Sequence, residues 1–220
     1  MNLGFRYDPP LVARVPHFER LPDAKPRQGT ITPGQYRKVR DILPAYARVA
    51  LVIAYHTGAW KGEIMAIRTN DVDFDGKRIR LRAGTTKNDE ARWLPIYGEM
   101  RGELQLAIEA AKVDKCSWLI QHEGERVHSF RKAWATACKA ASTPSTLFHD
   151  LRRVACTNMV DAGISIPDAM AISGHKTDSV FRRYVIANQK RLQESGAKLE
   201  AFMDSGSRAS KEPNVIIVGA

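Results

Sequence analysis

Residues 148–184 read FHDLRRVACTNMVDAGISIPDAMAISGHKTDSVFRRY, and the spacing of titratable side chains in this stretch decides how the whole chain is read. His149 and Arg152 stand three positions apart, so a helix puts both on one face, where they can approach a single anionic group. The helical pattern of HDLRRVACTNMVDAG predicts that helix, with Gly163 as its C-terminal stop. IPDAMAIS and TDSVFRRYV read as two more helices. Gly174-His175 lies between them, nine residues ahead of Tyr184, with Arg182 and Arg183 just before that tyrosine. A helical tyrosine taken alone is a packing residue, and a histidine after glycine can simply cap the next helix. The set gains meaning from the basic residues around it.

Working outward, SFRKAWATACKAA and GEMRGELQLAIEAA carry helical patterns, and SWLIQHEGERV reads as a further strand or extended segment. KRIRLRAG and ARWLPIY alternate apolar and polar residues about the polar tip TTKNDE. That alternation predicts an antiparallel hairpin with one buried face and Lys87 at its turn. KGEIMAIR is a short helical piece after the Gly58 break, and the apolar run AYARVALVIAYHTG behind Pro44 is the expected core helix. Thr32 before Pro33 is a helix start leading into QYRKVRDIL. NQKRLQESGAKLEAFM is the last helix, and VIIV at 215–218 could add as a strand to a sheet edge. The fold class is mainly α with a small antiparallel β-sheet (α+β).

The chain has 220 residues, 44 % apolar and 26 % charged, enough for one well-cored domain. Its 34 Lys and Arg against 24 Asp and Glu leave a formal charge of +10 and a pI near 9.7, which fits a polyanionic partner, nucleic acid before membrane. No apolar run reaches the roughly 18–20 residues of a membrane span, and MNLGFRYDPP lacks a signal-peptide layout, so a cytoplasmic location is expected. Three widely spaced cysteines, Cys116, Cys138 and Cys156, read as reduced thiols, and no metal site is expected.

In order along the chain, Lys87, His149, Arg152, His175 and Tyr184 resemble the active-site set of the tyrosine recombinase (phage integrase) family. The stretch HDLRRVACTNMVDAGISIPDAMAISGHKTDSVFRRY is similar to the family's C-terminal motif region almost throughout. HTGAWKGEIMAIRTNDVDF and TTKNDEARWLPI are similar to its first box and its hairpin lysine segment, so the resemblance covers residues about 32 to 203. It implies the integrase catalytic-domain fold at 29–204, a leader at 1–28 that remains from an N-terminal DNA-binding domain, and a flexible tail at 205–220. It also implies strand cleavage and rejoining on double-stranded DNA, without ATP or any other cofactor. Tyr184 would attack the phosphodiester to form a 3′-phosphotyrosine. Arg152 and His175 would hold the phosphate oxygens, Lys87 would protonate the leaving 5′ oxygen, and His149 would act as general base or orienting group. Lys61, Arg153, Lys176, Arg182 and Arg183 are the candidate DNA contacts. Self-association on DNA would run through NQKRLQESGAKLEAFM and VIIV.

One position departs from the family's pattern. The first box runs T-G-x-R-x-x-E, and here Thr57, Gly58, Ala59, Trp60, Lys61, Gly62 and Glu63 put tryptophan where that arginine stands. A guanidinium offers five donors in a charged fork and an indole one neutral N–H. Lys61 points about 100° away along a helix, and Glu63 is expected beneath the site. The alternative function is therefore a chain that binds DNA or recombinase protomers without cutting.

Overall fold

The computed structural model describes residues 8–9, 29–84, 90–185 and 189–209. Thr32 starts helix α1 (Pro33–Ile42) through a reciprocal cap, its Oγ1 accepting from Gln35 N–H while Gln35 Oε1 accepts from Thr32 N–H at 2.9 Å. The apolar run behind Pro44 forms α2 (Ala45–Thr57), whose Val49, Leu51, Val52 and Ile53 are buried, so the helix is covered on nearly every side. It packs against α4 (Met100–Val113) and α6 (Asp150–Asp161), while α1 packs on α5 (Arg131–Ala140). Ile64, Ile67, Leu104 and Leu119 close the same core.

The predicted hairpin is β2 (Arg78–Leu81) paired with β3 (Arg92–Pro95), with Ile79 opposite Leu94 on the buried face. A third strand, β1 (Val72–Asp73), extends the sheet in the order β1-β2-β3. It was not expected, because two residues are too few to display an alternation. SWLIQHEGERV yields only the short pair β4 (Gln121–His122) and β5 (Glu125–Arg126), with an isolated bridge from Trp118 to Arg68.

KGEIMAIR is helical only over α3 (Lys61–Ile64). Beyond it the backbone turns to pair with 117–119: Leu119 N–H donates to Ile67 O at 3.0 Å and Thr69 N–H to Ser117 O at 2.9 Å. These bonds outweigh the local helical preference. α7 (Ile166–Ser173) forms as expected, capped by Ser165 and stopped at left-handed Gly174. α8 (Asp178–Arg182) is shorter than TDSVFRRYV, and Tyr184 sits in a tightened turn after it. α6, α7 and α8 share a separate small cluster of Ala155, Cys156, Met159, Ala169 and Phe181. α9 (Gln189–Ala209) runs past position 204 into the stretch read as a flexible tail, with Leu192, Leu199, Phe202 and Met203 exposed. The leader apart from residues 8–9, the hairpin tip with Lys87, and VIIV lie outside the described residues.

Candidate active site

Gly58 ends α2 in the left-handed conformation at φ 69°, and a Cβ there would lie 3.3 Å from Ala155 Cβ on α6. The close approach places the Gly58 carbonyl on Arg152, whose Nη1 donates to it and to the carbonyl of Ser173. Arg152 is 3 % exposed, and its Nε has no partner among the described residues. Burial pulls its pKa down, a pull offset in part by Cys156, Tyr184 and Glu63.

Trp60 follows two residues after Gly58 and meets the same guanidinium, which lies 4.6 Å from its ring centroid. The His149 ring stacks on the indole at 4.9 Å and 24°. Trp60 thus holds together the two residues that the sequence places on one helical face, His149 standing just before the first turn of α6 and Arg152 within it. Beneath it, the buried Glu63 carboxylate accepts from Trp60 N–H at 2.8 Å and takes both terminal nitrogens of Arg92 at 2.7 and 2.6 Å. Lys61 turns away as expected, its Nζ over the Phe130 ring at 4.6 Å, and burial lowers its pKa.

Gly174 positions His175. A Cβ on Gly174 would meet Arg92 Cζ at 2.6 Å, so that backbone lies directly over the guanidinium. His175 is 8 % exposed, its Nδ1 2.8 Å from Ser173 Oγ and its Nε2 without a partner among the described residues. Burial, then the charges of Arg152 and Arg92 and the neighbouring His149, push its pKa down to about 3. Tyr184 closes the group: its hydroxyl is 3.3 Å from His149 Nε2, its ring 4.8 Å from that of His175 and 5.5 Å from the Arg152 guanidinium.

Two cavities open on this group, one of about 320 Å³ lined by His149, Arg153, Arg183 and Tyr184, the other of about 300 Å³ lined by Trp60, Arg152, His175 and Lys176. A larger one, about 450 Å³, lies between the start of α2 and α4 and holds none of the predicted residues, so volume alone does not locate the site. Tyr184, Arg152, His149, His175 and Trp60 come together, with Arg153 5.9 Å from the Tyr184 ring and Lys176 and Arg183 at the rims. Lys176 pairs with Glu90 at 2.9 Å, and exposed Arg182 with Asp178 at 2.5 Å. Sequence reasoning missed Arg92 and Ser173. Arg92 left a signal: it shares the strand parity of inward-facing Leu94 and Ile96, where a charge needs a buried partner. Ser173 left none.

A model of the phage integrase family matches residues 31–191. The chain is 26 % identical over 166 residues to the tyrosine recombinase XerC of Corynebacterium glutamicum, covering 72 % of this chain and 50 % of the relative. The chain therefore spans about half the length of that relative. Among solved structures, XerA recombinase superposes with a TM-score of 0.68 at 18 % identity, over 84 % of this chain and 69 % of that one. The integrase of transposon Tn1549, in complex with circular intermediate DNA, gives 0.62 at 18 %, over 76 % and 64 %. At such identities the likeness to these structures is one of fold.

Proposed function

Because the chain belongs to the phage integrase family, we propose that it cuts and rejoins double-stranded DNA in site-specific recombination, with Tyr184 as nucleophile. The observation that carries this reading is the gathering of Tyr184, His175 and the His149–Arg152 pair, from three segments, around two adjoining cavities. Arg152 Nε, a buried donor without a partner among the described residues, supports an anionic ligand at the same place. DNA in the Tn1549 complex supports the partner.

In this reading Tyr184 Oη bonds to phosphorus as the bond from phosphorus to the 5′ oxygen breaks. The phenolic proton passes to His149 Nε2, whose 3.3 Å separation shortens in the productive complex. Arg152 stabilises the charge that develops on the phosphate oxygens, and Lys87 donates the proton that the 5′ oxygen needs. The phosphotyrosine conserves the bond energy, so the reverse attack by a 5′-hydroxyl rejoins strands without ATP. Residues 29–204 are the catalytic unit of this proposal, and Lys61, Arg153, Lys176, Arg182 and Arg183 contact the DNA backbone.

A nicked suicide duplex tests it: a denaturation-resistant adduct that depends on Tyr184 is expected. Absence of any adduct, from this chain and from Trp60→Arg alike, would refute cleavage. Binding itself should weaken steeply with salt as phosphate contacts release counterions, and a flat response would count against the +10 charge as its source. Assembly on DNA runs through α9, supported by its exposed Leu192, Leu199, Phe202 and Met203. Deleting 187–220 should leave DNA binding without assembly.

A further inference from the structure

Ser173 touches two of the residues that line the cavity beside Trp60, Arg152 and His175. Its carbonyl accepts from Arg152, and its fully buried hydroxyl lies 2.8 Å from His175 Nδ1 and 2.6 Å from the Ala169 carbonyl. A hydroxyl has one proton to give. The Ala169 oxygen only accepts, so at that distance the Ser173 proton is committed to it, and the Met170 carbonyl at 3.5 Å is a poorer acceptor. Nδ1 must then be the donor to Ser173 Oγ, which leaves Nε2 of the neutral ring with a bare lone pair. A phosphate oxygen arriving at that nitrogen meets like charge density unless a proton is added.

We infer that Ser173 fixes His175 as the Nδ1–H tautomer, and that a DNA phosphate entering the cavity of about 300 Å³ beside Arg152 binds together with one proton, taken from water onto His175 Nε2. The inference rests on reading that cavity as a phosphodiester site. The Nδ1–H bond is kept, and the ring becomes an imidazolium that donates from both nitrogens. Ser173 is a positioning residue, acting through His175.

The surrounding charges agree. Arg152 from α6, Arg92 from β3 and His149 face the ring and, with burial, keep it neutral in the free protein, its pKa near 3. Tyr184 packs on it, and Cys156, joined to the Ser173 side chain, is a neutral thiol whose pKa burial pushes up to about 11. None of these supplies the negative charge that would hold an imidazolium, whereas a phosphate does. The pKa of His175 is therefore higher in the complex than in the free protein. From about 3 up to that higher value, affinity falls as much as tenfold for each unit rise in pH, and above it the dependence ends.

Nitrogen-15 NMR of the His175 ring tests this in the full chain, with the signals assigned through His175→Asn. The expected pattern is neutral Nδ1–H alone and imidazolium on adding a nicked mixed-sequence duplex. Ser173→Ala should shift the free ring toward Nε2–H and abolish the proton uptake that calorimetry in buffers of different ionisation enthalpy reads on binding. Ser173→Thr should restore both. An Nε2–H ring in the unaltered free protein, or a neutral ring in a complex that Arg152→Ala weakens, overturns the inference and leaves the phosphodiester reading standing. Duplex binding indifferent to Arg152→Ala overturns the reading and the inference with it. The unaltered protein supplies the deciding spectra, so a misfolded Ser173 variant does not rescue the idea.

Discussion

Glu99 and Arg152 each anchor a polar cluster, and the two clusters differ in how fully their atoms are paired. Glu99 accepts from Tyr36 at 2.5 Å, from His56 at 3.0 Å and from Arg40 at 2.5 Å. Burial pushes the Glu99 carboxyl up, yet these bonds hold it below its ordinary pKa, while burial and the same contact raise Tyr36. Tyr36 also stacks on Tyr55 at 3.7 Å, and Tyr97 donates to the His56 carbonyl at 2.9 Å. Around Arg152, two buried nitrogens, its own Nε and His175 Nε2, have no partner among the described residues. A closed network contributes its energy to the fold, and an open one keeps that energy for a ligand.

The largest expected effect lies in the open cluster. Tyr184→Phe should remove the covalent adduct altogether and leave DNA affinity nearly unchanged, and an adduct that persisted would place the nucleophile elsewhere. Next comes Trp60→Arg. One preorganised donor to a developing oxyanion is worth about 100- to 1,000-fold in rate, so adduct formation on the nicked duplex should rise by that order. The structure adds a cost, since the indole stacks with His149 and sits under Arg152, and a thermal melt should show a small loss. No gain in rate, or fast cleavage by the tryptophan protein, would break the assignment of position 60 to phosphate binding.

The closed cluster should respond in the opposite way. Glu99→Ala strands the Tyr36 hydroxyl and leaves Arg40 with Asp41 alone, and urea unfolding should show a loss of about 1–3 kcal/mol with cleavage by the folded fraction unchanged. A loss of cleavage beyond that of folded protein would erase the distinction. The last effect is read per unit of pH. The folded pKa of His175, near 3, lies below its unfolded value of 6.5, so between them the unfolded chain holds the extra proton. Stability from the neutral ring is complete above the upper value and is lost as pH falls, by up to about 1.4 kcal/mol per unit. Comparison with His175→Gln, by denaturant midpoints across that window, isolates the slope, and parallel curves would refute it.

Legibility in the sequence followed the same division. α2 could be read because thirteen consecutive positions express one burial pattern, and α7 because Ser165 and Gly174 mark both its ends. The site residues could be read through motif spacing that survives folding: His149 and Arg152 stay one turn apart although His149 lies outside the regular helix. What could not be read depends on partners distant in sequence. α3 stops because 117–119 capture the backbone after it, and α8 stops because the turn after Phe181 tightens to bonds of three-residue span. The stacking of Trp60 on His149 and its contact with Arg152 likewise need two distant segments at once, so the tryptophan was visible in the sequence and its surroundings were not.

The bridge between Glu63 and Arg92 has a consequence for exchanging parts between members of the phage integrase family. The two residues belong to segments that a designer would treat as separate modules, the box after α2 and the lysine-bearing hairpin. Their two parallel hydrogen bonds, at 2.7 and 2.6 Å, leave the Glu63 carboxylate buried against a single guanidinium. A chimaera that imports a hairpin without an arginine at position 92 strands that carboxylate, at a cost of roughly 3–5 kcal/mol. It also removes the floor under Gly174, so the box, the hairpin and the loop before His175 must be transplanted as one piece.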